Sequence, residues 1–149
     1  MTPHRFATLF IVTSVLVACA SVPMARKSVE HEAKTFVPTP GKARIYLFRE
    51  RNVLGAAIQF QALLDGKVAG GTAPGTFFMW EVNPGKHSVS SVTRESVSTI
   101  EIDARPDQIY FVRQRQKVGI VEPRIELLRI KAAEGREAIS SYRMVQSLF

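Results

Sequence analysis

Of the three histidines in this chain, His87 alone falls in the stretch patterned as a folded domain, residues 42–149. Nucleophilic catalysis needs a Ser or Cys, a base and an orienting group within hydrogen-bond reach. Ser88 or Ser90 could supply the hydroxyl, and Asp65 or Asp103 could orient the imidazole. His87 also opens a strand beside a Pro-Gly turn, where a solvated or capped ring is the ordinary case, and that structural reading is preferred. Paired-carboxylate chemistry would draw on Asp65, Glu81, Glu101, Asp103 and Glu126, but their spacing forms no constellation. Zinc needs three or four ligands, and the domain offers one His and no Cys. Glu30-His31-Glu32 are adjacent, so they cannot converge on one ion and read as solvated charge. Gly70-Gly71 and Gly75 lack the Lys-Ser/Thr that a phosphate cradle requires. No enzyme activity, metal or cofactor is expected.

One pattern suits binding. Arg113, Arg115 and Lys117 alternate along a strand end, so an extended backbone points all three to one face. Arg124 and Arg129 follow in the next strand. Phosphate or carboxylate groups on an anionic polymer would match such a row. The plainer and preferred alternative is a solvated edge whose basic residues block edge-to-edge aggregation. The chain carries 20 Lys and Arg against 13 Asp and Glu, a net +7. That balance favours anionic surfaces but is also ordinary for a soluble domain. No nucleic-acid motif is present, so nucleic acid is not expected as a partner.

The single cysteine, Cys19, has no partner for a disulfide. It ends a leader. Met1 to Arg5 carries one positive charge, and Phe6 to Val17 (FATLFIVTSVLV) carries none. The run is shorter than the roughly 20 residues that span a bilayer, and with its small-residue exit it reads as a signal peptide, residues 1–18. The exit Leu16-Val17-Ala18-Cys19 resembles the lipobox of bacterial lipoproteins. That resemblance implies diacylglyceryl transfer to the Cys19 thiol, cleavage before it, and a membrane partner through the lipid. A secretory leader with a chance cysteine, or an uncleaved anchor, are the alternatives. Ala20 stands where an Asp would resemble an inner-membrane retention signal. The resemblance therefore points to the outer membrane, facing the periplasm.

Residues 19–41 hold three prolines, scattered charge and few large apolar side chains. They read as the lipidated Cys followed by a flexible linker, with a short helical piece around Lys27 to Lys34. From Lys42 the period is mostly two, the strand signature. Ala43 to Arg49 is apolar on both faces. Ile58 to Leu64 alternates and meets Asp65-Gly66, a strong hairpin signal. Phe77 to Val82, His87 to Thr93, Val97 to Ile102, Ile109 to Gln114 and Ile125 to Ile130 complete the strands. With 46% apolar and 22% charged residues in 149, one globular domain is expected. The expected fold is mainly β, a small antiparallel β-sandwich of about seven strands. Ala138, Tyr142, Val145 and Phe149 make one helical stripe, predicting a C-terminal α-helix from Glu134 to Gln146.

Several stretches together carry a family likeness: CASVPMA at Cys19 to Ala25, PGKARIYLFR at Pro40 to Arg49, LLDGKVAG at Leu63 to Gly70, EVNPGKHSV at Glu81 to Val89, and IYFVRQ at Ile109 to Gln114. They resemble the bacterial family called domain of unknown function 2846, many of whose members carry lipoprotein leaders. The rhythm of Asp65-Gly66, Pro84-Gly85 and His87-Ser88-Val89 is also similar to PEGA-type surface domains. Both resemblances imply a small β-sandwich at the envelope, and neither carries catalytic residues over. The expected role is a membrane-anchored, non-catalytic module binding an envelope protein or glycan. The rival is a hydrolase acting on envelope material.

Overall fold

A computed structural model of the chain describes residues 21–52, 56–121 and 123–149. The expected leader and Cys19 lie outside the described residues. A short helix, α1 (Lys27–Ala33), comes first. Eight strands follow: β1 (Ala43–Arg49), β2 (Phe60–Leu64), β3 (Lys67–Thr72), β4 (Thr76–Val82), β5 (Gly85–Val92), β6 (Val97–Ala104), β7 (Ile109–Lys117) and β8 (Arg124–Ile130). Helix α2 (Ala132–Ser140) and a two-residue strand β9 (Arg143–Met144) close the order. The strands form two sheets, β8-β7-β1-β4-β9 and β3-β2-β5-β6. The sandwich expected from the sequence is present, with nine described strands rather than about seven. Two pairings, β1 with β7 and β4 with β9, are parallel rather than antiparallel. The chain reaches β7 only after crossing to the second sheet and back, so it arrives beside β1 in the same direction.

Every residue of β1 is buried because both faces of its sheet are covered. Ala43, Ile45 and Leu47 join Phe60, Ala62, Phe78, Val89, Ile102 and Val112 between the sheets. Tyr46 and Phe48 point the other way, into a second core with Ala33, Phe77, Phe111 and Ile139 under the helices. The Tyr46 hydroxyl donates to Ala33 O at 2.7 Å, which pins α1 to the sheet. Helix α2 approaches so closely that a Cβ on Gly135 would lie 2.2 Å from the Phe111 ring, so only glycine fits there. At Asp65-Gly66 both residues have positive φ (50° and 76°), the geometry of a tight type I′ hairpin.

A polar chain crosses the core between the sheets. Thr72 Oγ1 donates to Gln114 Oε1 at 2.6 Å, Gln114 Nε2 donates to Ser91 Oγ, and Ser91 Oγ donates to Gln61 O at 3.1 Å. Beside it Arg49 is buried, stacked 3.7 Å from the Phe60 ring centroid and donating to Ile58 O and Thr72 O at 2.6 and 3.0 Å. Burial lowers its pKa to about 10, still well above neutrality. Satisfied polar groups of this kind fix one arrangement of the two sheets, since any shift would strand them without partners.

Both seams between the sheets are stitched. On one side Ser96 Oγ and Ser98 Oγ, from and beside β6, accept from the backbone N–H of Ile125 and Leu127 on β8, each at 3.0 Å. On the other, Leu148 N donates to Ala69 O of β3 at 3.0 Å, while Gln146 N donates to Pro23 O at 2.9 Å and holds the N-terminal segment alongside.

Two expectations are corrected here. Residues 21–41, expected as a flexible linker, are docked: Val22, Ala25 and Ala33 are buried, and Met24 bridges Val145. The C-terminal helix ends at Ser140 instead of reaching Gln146. Beyond it Arg143 N donates to Gly75 O and Val145 N to Phe77 O, so the chain pairs with the open edge of β4 as a strand. The stripe that suggested a longer helix arose because Val145 is buried, and Tyr142 partly so, from a different backbone.

Candidate functional site

His87 and Asp65 do meet, but as a turn clamp. Asp65 Oδ2 lies 2.7 Å from His87 Nδ1, and Asp65 Oδ1 accepts from Ser88 N at 2.8 Å. His87 Nε2 lies 2.8 Å from Asn83 O. Burial works against the imidazolium, yet Asp65 and the Asn83 carbonyl outweigh it and raise the His87 pKa above its usual value. Asp65 is likewise penalised by burial but held below the usual carboxylate range by His87 and the Ser88 amide. With a carboxylate on one nitrogen and a carbonyl on the other, the ring has no acceptor left for a serine proton. Ser90, the other candidate nucleophile, shares a 2.9 Å hydrogen bond with Thr99. Asp103 offers its backbone carbonyl to the Tyr110 hydroxyl at 3.1 Å rather than orienting His87.

The basic row lies where the period predicted, along the end of β7, and it is matched to carboxylates. Arg113 meets Glu50 at 3.2 Å and also pairs with Glu134 of α2. Arg115 and Lys117 share Glu126, at 2.6 and 2.8 Å, across the β7–β8 ladder. Arg124 stands 3.6 Å from Glu95, and Arg129 lies over the Tyr110 ring at 4.9 Å. Such pairs at the surface are screened by water and contribute little to stability, but they lower the field an anionic polymer would meet. Glu30 and Glu32, read from the sequence as solvated, are structural: Glu30 binds Lys34, Arg143 and the Met144 N–H, and Glu32 pairs with Arg44. Among the described residues, no group of three or more His, Cys, Asp or Glu could hold a metal ion. No described helix is long and apolar enough to cross a membrane.

The surface features left unexplained gather at one end. Gln59, just before β2, donates from Nε2 to Ser21 O, so the chain enters the described structure there. Gly71 allows this path, because a Cβ would sit 2.5 Å from Gln59 Oε1. A shallow groove of about 740 Å³ runs across this end from Leu148 past Gln59 and Gly71 to Val92 and Arg94. Gln61 pairs with Val92, and beyond Val92 lies the turn carrying Glu95. The Glu95 carboxylate accepts from the backbone N–H of Ile120, at 3.0 Å, and of Val121. That holds the β7–β8 connection at the same end, with Val118, Ile120 and Val121 exposed by 83%, 88% and 79%. The sequence reading passed over this tip. Its signal was three apolar residues around Gly119, where a hairpin connection is normally polar.

The family described as protein of unknown function, DUF2846, matches residues 39–126. The chain belongs to the DUF2846 family. An uncharacterized protein of Haemophilus influenzae is 32% identical over 142 residues, covering 95% of this chain and 84% of that protein. The DUF2846 span takes in β1 to β7, the start of β8, the Asp65–His87 clamp and the exposed tip. It excludes α1, α2 and β9, so the family's defining stretch is the sandwich itself. The match to the relative extends beyond that span.

Proposed function

We propose that this DUF2846 protein is a lipid-anchored lipoprotein of the bacterial envelope whose domain binds and does not catalyse. The observation that carries the reading is Leu16-Val17-Ala18-Cys19 at the exit of a short, uncharged apolar run. Two or three acyl chains make a durable anchor, since each buried methylene contributes about 0.8 kcal/mol. The non-catalytic half is supported by His87, both of whose ring nitrogens are engaged. An envelope protein or an anionic glycan suits the groove between Leu148 and Arg94, whose apolar floor is edged by Gln59, Gln61 and Thr93. Outer-membrane attachment facing the periplasm fits Ala20 after the cysteine.

Metabolic labelling with palmitate tests the anchor. The expected result is label on the wild type and none on Cys19→Ala, with globomycin causing the uncleaved precursor to accumulate. Label persisting in Cys19→Ala would sink the lipoprotein reading. Crosslinking in intact cells, followed by extraction and capture, tests the binding half: an envelope protein or glycan is expected above control. Recovery of neither would count against it.

A further inference from the structure

We propose that the cleft between the β6–β7 turn and the end of β8 binds a phosphate monoester on a sugar or other polyol, clamped by Arg105 and Arg129. The site goes beyond the reading above, because it lies at the other end of β6 from the groove near Arg94 and needs no lipid anchor. The cleft holds about 680 Å³, and Asp103, Arg105, Gln108, Tyr110 and Arg129 are in its wall. Small-ligand sites commonly span about 300–1,000 Å³, so it has room for a phosphorylated sugar. Its two arginines differ from the basic row on β7 and β8. Arg113, Arg115, Lys117 and Arg124 each face a carboxylate. Neither Arg105 nor Arg129 forms an ion pair among the described residues. Two uncompensated guanidinium groups on one cleft raise a local positive potential that a bound anion relieves.

Both arginines stand on fixed supports. The hydroxyl of buried Tyr110 accepts from Arg105 N at 2.9 Å and donates to Asp103 O at 3.1 Å, which straps the turn to β7. From the other side Asp107 N donates to Lys42 O at 2.7 Å, and Arg44 N donates to Gln108 O at 3.0 Å. The Asp107 carboxylate accepts from Gly41 N at 2.8 Å and is not in the cleft wall. Arg129 lies over the Tyr110 ring, its guanidinium carbon 4.9 Å from the centroid. Stacking covers one face of the guanidinium plane and leaves the N–H edges free to donate within that plane. Donors fixed before binding lose less entropy when a ligand arrives. Their number selects the ligand. One arginine fork satisfies a carboxylate, whereas two forks and the Gln108 amide match the three free oxygens of a phosphate monoester. Asp103 repels a second anion and accepts hydroxyl protons, which favours a polyol with a single phosphate over a polyphosphate. Lys86 stands opposite Asp103 in the β5–β6 ladder and offsets part of that charge.

The test uses the full-length protein in a non-ionic detergent and a phosphate-free, low-salt buffer, with binding read by titration calorimetry and phosphorus NMR. The probe is glucose phosphorylated on its primary hydroxyl, with glucuronate and glucose as the matched carboxylate and neutral sugars. The phosphorylated sugar is expected to bind, glucuronate several-fold more weakly, and glucose not at all. Arg105→Gln and Arg129→Gln should each weaken binding about tenfold or more, the effect of losing charge-assisted hydrogen bonds. Arg115→Gln, in the basic row, should leave it unchanged. Both cleft arginines are exposed, so the variants are expected to fold, which thermal melts check. Dihexanoyl phosphatidate carries the same monoester on a lipid and separates the sources. If it binds tighter than the sugar, the ligand is a lipid headgroup; if weaker, a phosphorylated sugar. Both results support the clamp when Arg105→Gln weakens them. No binding of either monoester, or binding that survives in both cleft variants, overturns the site. Glucuronate binding as tightly as the phosphorylated sugar overturns the choice of phosphate. Each of these failures leaves the palmitate label, and the lipoprotein reading with it, untouched.

Discussion

Asp65 does two jobs with one carboxylate: one oxygen receives the Ser88 amide, and the other faces the His87 ring. Together with the Asn83 carbonyl this ties the β2–β3 turn to the start of β5, joining two hairpins at the end of the sandwich away from Ser21. The pH dependence follows from the two shifts. The His87 pKa is raised above 6.5 in the folded protein, so its contribution is complete below 6.5 and fades as pH rises through the folded value. The Asp65 pKa is lowered below 3.8, so its contribution is complete above 3.8 and fades as pH falls through the folded value. The clamp is therefore strongest between the two. Replacing His87 with Ala should cost about 1 kcal/mol near pH 5, and visibly less in alkaline buffer. Thermal melts across that range check it, and a cost that grows with pH would contradict the clamp.

At the scale of elements, the strands were legible because each has a local cause. Period-two alternation, the Asp65-Gly66 turn and the Pro84-Gly85 turn set β2 to β5 without reference to the rest of the chain. The all-apolar run of β1 marked a strand covered on both faces, as the structure has it. The basic row was legible as geometry but not as charge: Arg115 and Lys117 meet Glu126 across a hairpin, whereas Arg113 meets Glu134 from a helix 21 residues away. Pairings of that second kind have no local signal. The C-terminal helix was overextended for a similar reason, since an open strand edge on β4 takes Arg143 and Met144 from it. Seams are also non-local. Ser96 and Ser98 look like turn and strand-surface residues, yet they occupy the backbone donors of β8. Removing both hydroxyls, Ser96→Ala with Ser98→Ala, should cost about 2 kcal/mol in urea unfolding. Because it frees donors on a strand edge, it should also promote self-association visible by sedimentation. An unchanged midpoint and a monomer would show that the stitches contribute nothing.

The whole molecule is built so that its two termini close it. Residues 21–41 looked like linker because they offer prolines, charges and few large apolar side chains. Those few suffice, since Ala25 and Ala33 fit against a sheet lined by Tyr46, Phe77 and Phe111, and the Phe36 ring packs on Tyr46 and Phe111. The charges then hold the segment in place. Glu30 accepts from Lys34, from Arg143 at 2.8 Å and from the Met144 amide at 3.1 Å, joining α1 to β9. Lys34 donates onward to Tyr142 O at 2.7 Å. Burial opposes the Glu30 charge, but these donors prevail and bring its pKa from 4.5 down to about 2. A depressed carboxylate stabilises the fold fully above 4.5, and the contribution disappears as pH falls toward about 2. Replacing Glu30 with Gln should thus cost about 2 kcal/mol at neutral pH and almost nothing at the acid end. The variant's stability should fall less steeply through that acid range than the wild type's. Limited proteolysis separates the consequences: cuts confined to residues 21–41 would mean that the segment undocks from a sandwich that survives. Cuts throughout would mean that the N-terminal segment is part of the cooperative fold. The buried Val22 and the Gln146–Pro23 hydrogen bond favour the second outcome.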